Sequence, residues 1–201
     1  MRRCRILVPD AGPFNSLWVA DALDLLLRLD MPIVVVDAVF DEMTGDRSYR
    51  KDREVGAFIE ENTPPFEIVE TDTGRAERAR RARGEPPKRN AGEIAMTDFM
   101  TSEEGLDSWI AAGDPVLILS EDMKAMRRRF LPEPGVHALG TIGLLHGMER
   151  AGLIPSAAEI VDRMRIPSGP GRTLEDARQL AEPEGGLDRQ TEGGSSWLPE
   201  P

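Results

Sequence analysis

Four acidic residues stand where carboxylates can do chemistry. Asp10 closes the apolar stretch Arg5-Ile6-Leu7-Val8-Pro9, and Asp122 comes just after Pro115-Val116-Leu117-Ile118-Leu119-Ser120, with Glu121 between. In an open parallel α/β sheet, side chains just beyond a strand's C-terminal end face the crevice where ligands bind. If these two strands are neighbours, Asp10 and Asp122 face one another across that crevice. Glu42 and Glu93, each on a short helical stretch, are the other two candidates. Carboxylates gathered in one crevice repel one another unless a divalent cation neutralises them. Mg²⁺ and Mn²⁺ suit such a site, because hard cations take carboxylate oxygens and water and need neither His nor Cys.

Each acid also has an ordinary reading. Asp10 before Ala11-Gly12-Pro13 is a favoured turn residue. Asp122 can simply cap a following helix. Glu42 can lie on a solvated helix face, and so can Glu93, although Glu93 follows Gly92 and precedes Ile94-Ala95 on a helix that must pack. It is the combination, two acids ending the two most apolar strand-type runs, that points to a site.

The positioning elements alternate along the chain. Residues 5–9 read as the first strand. Leu17, Trp18, Ala22, Leu25, Leu26 and Leu29 recur at helical spacing over 15–29, with Asn15 or Ser16 as the N-cap. Ile33-Val34-Val35-Val36 is β-branched without polar alternation, as in a strand covered on both faces. Residues 39–43 make one or two helical turns, and 49–61 a charged helix with Val55, Phe58 and Ile59 inward. Phe66-Glu67-Ile68-Val69-Glu70 alternates and reads as a third strand near an edge. A basic block over 74–89 leads into a helix over 90–99 with Ile94 and Ala95 inward, and residues 106–112 continue as helix or turn. Residues 115–120 are the fourth strand, followed by a basic helix. Residues 136–139 are a weak fifth strand. A further helix closes at Gly152, and Ser156 with Glu159 forms a capping box opening a last one. Strands alternating with helices predict an α/β fold with a mainly parallel five-stranded sheet.

Composition bounds the function. The 201 residues, 40% hydrophobic and 30% charged, are those of a globular protein with a single core. From Pro167 the chain turns to Pro, Gly, Ser and acids, which divides it into a domain over 1–166 and a flexible or partner-binding tail over 167–201. No run of about 18 apolar residues is present, so no membrane span is expected. One cysteine excludes an internal disulfide and fits a reducing cytoplasm. Cys4 reads as packing, and His137 and His146 as structural or surface residues rather than a metal site. The net charge of −11 argues against a general nucleic-acid coat, though not against an enzyme gripping nucleic acid through a local basic patch and a metal.

Short blocks in order resemble the PIN-domain nucleases, the group that includes VapC-type toxins. Leu7-Val8-Pro9-Asp10-Ala11-Gly12-Pro13 resembles their first strand and first acid. Val36-Asp37-Ala38-Val39-Phe40-Asp41-Glu42 is similar to their V-x-x-E block. Ala91-Gly92-Glu93-Ile94-Ala95 resembles the Gly-Glu helix opening, and Leu117-Ile118-Leu119-Ser120-Glu121-Asp122 the strand ending in the fourth acid. Gly140-Thr141-Ile142-Gly143-Leu144-Leu145 with Gly152-Leu153-Ile154 looks like the closing helix of one branch. The resemblance spans roughly residues 5–165.

It implies a PIN-like three-layer α/β/α fold with strand order 3-2-1-4-5, and a metal-dependent endoribonuclease. Asp10, Glu93 and Asp122 would hold Mg²⁺ or Mn²⁺, with Glu121 as the substitute for Asp122. Glu42 would be a ligand or orient the attacking water. A toxin of this kind would cut RNA, pair with an antitoxin protein and form a homodimer. Thr141 either binds a water or phosphate or caps its helix. Lys124, Arg127 and Arg128, like the block 74–89, either line the substrate groove or form a solvated face. The alternative function is a PIN-like binding module without activity, held in a larger complex.

Overall fold

The computed structural model describes residues 4–102, 104–111, 113–122 and 135–165. The predicted basic helix after Asp122 and the tail from 167 lie outside these residues.

The sheet has five parallel strands in the order β3-β2-β1-β4-β5: β1 (Ile6–Pro9), β2 (Ile33–Val36), β3 (Phe66–Val69), β4 (Val116–Leu119) and β5 (Val136–Leu139). This three-layer α/β/α arrangement is the PIN-like topology expected. Burial follows strand position. All residues of β1, β2 and β4 are buried, because helices cover both faces of the sheet centre. β3 and β5, at the two edges, are partly exposed.

The helices are α1 (Ala11–Val19), α2 (Asp37–Thr44), α3 (Arg50–Glu61), α4 (Asp72–Ala82), α5 (Ala91–Thr101), α6 (Thr141–Arg150) and α7 (Ala157–Arg165), with 3₁₀ turns at Leu23–Leu29 and Leu106–Ser108. α1 packs on α3, α6 and α7, and α5 packs on α4. α2, emerging from the end of β2, touches both groups. Phe66 at the start of β3 anchors α1 through Phe14 (centroids 6.2 Å apart) and α3 through Phe58 (5.5 Å, edge-on). Trp18 of α1 donates its indole N–H to Glu54 of α3 at 2.9 Å.

Two expectations are corrected. The helix predicted over 15–29 is two pieces: α1 stops at Val19, Asp21 takes a left-handed φ of 54°, and a 3₁₀ helix resumes at Leu23. The apolar spacing runs through the break because both pieces cover the same core. The N-cap of α1 is Asp10, not Asn15 or Ser16. Ala11-Gly12-Pro13, which reads as a turn, is the first helical turn, where a proline's missing N–H leaves nothing unpaired. Of the expected capping box, the Ser156 half is formed: the Glu159 amide donates to Ser156 Oγ at 3.3 Å. On α5, Ala95, Met96 and Phe99 are buried, while Ile94 is half-buried.

Candidate functional site

β1 and β4 are adjacent and in register, Pro9 pairing with Leu119. The next residues, Asp10 and Ser120, therefore emerge side by side at the C-terminal end of the sheet. On one side of this point the chain runs from β1 to β2 and β3, on the other to β4 and β5, so the crevice of an open α/β sheet falls here. Asp10 Oδ1 accepts the Ala11 N–H at 2.8 Å, and Oδ2 accepts the Ser120 hydroxyl at 3.1 Å. Ser120, fully buried, was not singled out from the sequence; its alignment with Asp10 depends on the β1–β4 pairing, which the local sequence does not display.

The electrostatics link all four predicted acids. Burial pushes the Asp10 carboxyl above its ordinary value; the Ala11 and Ser120 hydrogen bonds pull it down, and the charge of Asp122 pushes it up again. Burial likewise raises Glu42, and Asp10 and Glu93 raise it further, against Lys51, whose charge lowers it. Lys51 is in the first turn of α3, where it also pairs with Asp52 at 3.3 Å. Glu42 lies against the N-terminal turn of α5: a Cβ on Gly92 would stand 3.2 Å from Glu42 Oε2 and 3.0 Å from Val39 Cγ2. A glycine next to Glu93 thus lets α2 and α5 bring Glu42 close.

Glu121 goes elsewhere. Its side chain crosses α1 over Gly12, where an added Cβ would be 2.8 Å from Glu121 Cγ. Oε1 accepts the Ser16 hydroxyl at 2.9 Å and the Thr141 hydroxyl of α6. Thr141 is not the helix cap; that position is Gly140. The Asp122 amide donates to Ser120 Oγ at 3.2 Å. Lys124, Arg127 and Arg128 lie outside the described residues.

A buried acid, Asp37, directly follows β2 and sits in the V-x-x-E block. It is 3% exposed and accepts from Ala38 N at 3.0 Å, Thr71 N at 3.2 Å, Thr71 Oγ1 at 2.7 Å and Arg78 Nη1 at 2.7 Å. The basic block is largely occupied by such partners. Arg78 also meets Glu70 at 3.0 Å, Arg80 meets Glu85 at 3.4 Å, and Arg83 meets Glu85 at 2.5 Å. Burial pushes the Cys4 thiol up to about 12, which suits packing and not nucleophilic attack.

A hard divalent cation fits the donor set: carboxylates at the ends of β1 and β4 and on α2 and α5, of which Asp122 raises Asp10, and Asp10 and Glu93 raise Glu42. Among the described residues, however, no three His, Cys, Asp or Glu side chains converge closely enough to form a metal cage as they stand. No helix among them is long and apolar enough to cross a membrane. Comparisons with protein families, with curated proteins and with solved structures find no match for this chain. The likeness to PIN-domain nucleases therefore stands on topology and on the order of the short blocks.

Proposed function

We propose that the protein is a Mg²⁺- or Mn²⁺-dependent endoribonuclease that hydrolyses RNA phosphodiester bonds at the crevice between β1 and β4. The observation that supports it most is electrostatic: carboxylates from the β1 end, the β4 end, α2 and α5 share one field at the fold's switch point. Asp10, Glu93 and Asp122 are assigned to the metal. When bound, it would lower the pKa of a water, polarise the scissile phosphate and stabilise the leaving oxygen. Ser120 and the Ala11 N–H fix the orientation of Asp10. Glu42, raised by burial and its acidic neighbours, is assigned to accept a proton from the attacking water and to orient it. Lys124, Arg127 and Arg128 are assigned to the RNA backbone.

The test uses the full chain and a labelled RNA. Cleavage is expected with Mg²⁺ or Mn²⁺, and is expected to stop on adding EDTA or in Asp10→Asn. Cleavage surviving either treatment overturns the assignment. The VapC-type resemblance adds an expectation: expressing the wild-type chain arrests growth and expressing Asp10→Asn does not. A second reading, the PIN-like binding module without activity, is favoured by the lack of a closed cage among the described acids. Tight, metal-independent RNA or protein binding without cleavage would support it.

A further inference from the structure

Glu121 adjoins Asp122 in sequence, yet its carboxylate points at hydroxyls and not at the acids of the proposed site. Ser16, 3% exposed, donates to it from the second turn of α1, and Thr141, 1% exposed, from the start of α6. Both hydroxyls are buried and both converge on the same oxygen, Oε1. Gly12 is the passage: its missing side chain leaves the space that Glu121 Cγ fills. One carboxylate thereby joins three elements, the exit of β4, α1 and α6. The next residue is Asp122, whose amide is held by Ser120 Oγ, which in turn donates to Asp10. The exit of β4 is fixed on one flank by Ser120 and on the other by Glu121.

We propose that Glu121 is a positioning residue, a clamp that docks the β4 exit onto α1 and α6 and so sets Asp122 beside Asp10, and that it does not bind the metal. This rests on the nuclease reading for its consequence in catalysis, though not for the clamp itself. A glutamine at this position keeps an oxygen for both hydroxyls but is a poor ligand for a hard cation. Alanine removes the acceptor. Replacing both donors leaves the carboxylate and removes the clamp. These three changes separate a clamp from a ligand.

The experiment measures RNA cleavage at saturating Mn²⁺, and Mn²⁺ binding, in the full-length chain. Glu121→Gln should stay within about threefold of wild type in kcat and in Mn²⁺ affinity, since the hydrogen bonds survive. Glu121→Ala should lose about tenfold or more in kcat with little change in KM for RNA, as expected of a misplaced catalytic group. Ser16→Ala with Thr141→Val should lose kcat in the same way, with Ser16→Ala alone as the milder form if the pair folds poorly. Loss in Glu121→Gln as large as in Glu121→Ala, or full kcat in the variants lacking the donors, overturns the clamp. A wild-type chain that neither cleaves RNA nor binds Mn²⁺ removes the nuclease reading alone. The clamp is then read from hydrogen exchange at the Asp122 amide. Faster exchange in Glu121→Ala and in the donor variants, but not in Glu121→Gln, supports it, and unchanged exchange in all of them overturns it.

Discussion

Asp10 and Asp37 begin alike and end differently. Each follows a fully buried central strand, each opens a helix, and each takes the N–H of the next residue, Ala11 at 2.8 Å and Ala38 at 3.0 Å. Beyond that, Asp37 has a threonine and a guanidinium, with Arg78 at 2.7 Å. Asp10 has the neutral Ser120 hydroxyl and the opposing charge of Asp122, and among the described residues it makes no ion pair. A buried carboxylate with its own cation has a structural role, since removing either partner leaves a buried charge uncompensated. One held among other acids is in an adverse state that a cation from solution would relieve. Active sites are where such states persist.

The largest effect expected from this contrast is on activity. Asp10→Asn keeps an oxygen for the Ala11 N–H and loses the charge. RNA cleavage should drop about 10³-fold or more, equivalent to roughly 4 kcal/mol of barrier. The folded state should be no less stable than wild type, because the variant removes a half-buried charge that Asp122 opposes. Asp37→Ala should do the reverse. It leaves the Thr71 hydroxyl without its acceptor and takes from Arg78 its buried partner, leaving it Glu70 and Asp41, and should lower stability by about 2 kcal/mol, below the cost of a fully buried broken pair because Arg78 is partly exposed and keeps other acids. Chemical denaturation and cleavage assays on both variants check this. If Asp10→Asn is the variant that unfolds, the two acids are not distinguished as argued.

Asp37 and Glu42, one on each side of this contrast, each lie against a glycine. At Gly74 a Cβ would land on the Asp37 carboxylate, so Gly74→Ala should destabilise by about 2 kcal/mol, as over-packing does. At Gly92 a Cβ would come 3.2 Å from Glu42 Oε2, tight but not prohibitive. Gly92→Ala should therefore fold normally, helped by about 0.5–1 kcal/mol of helix propensity, and lower cleavage several-fold by moving Glu42. A Gly92→Ala protein with undiminished cleavage would remove Glu42 from the chemistry.

The contrast also shows what a sequence displays. The strands were legible because buried parallel strands are continuous apolar runs, as in Ile33–Val36, and their ends located Asp10 directly. Asp37 follows an equally clear strand, but its meaning depends on Thr71 and Arg78, 34 and 41 residues away. No local pattern announces that pairing. Glu121 adjoins Asp122, so the sequence alone makes it a substitute ligand, while its two hydroxyl partners come from helices 105 residues earlier and 20 residues later. The break after Val19 was hidden for another reason: Asp21 takes a left-handed conformation that a glycine would have signalled.

The smallest effect expected is on the pH dependence of stability, and it tests the contrast without any reaction. The Asp10 and Glu42 carboxyls are raised above their ordinary values of 3.8 and 4.5. Below those values both acids are protonated in the folded and the unfolded chain, and their contribution to stability is fully present. As pH climbs, the unfolded chain loses these protons first, so the contribution fades and is gone once pH passes the raised folded-state values. The groups acting on Asp10 are the Ala11 N–H, the Ser120 hydroxyl and Asp122; those acting on Glu42 are Asp10, Lys51 and Glu93. Asp10→Asn deletes one of the two acids and removes the charge that raises the other most. Urea midpoints of the metal-free proteins, measured from about pH 4 upward, should fall more steeply with pH for wild type than for the variant. Exposed carboxylates contribute equally to both curves and cancel in the difference. Saturating Mn²⁺ should flatten the wild-type curve towards that of the variant, because a bound cation favours the ionised acids. Parallel curves without metal would mean that Asp10 is as well compensated as Asp37, and the crevice would have no need of a cation.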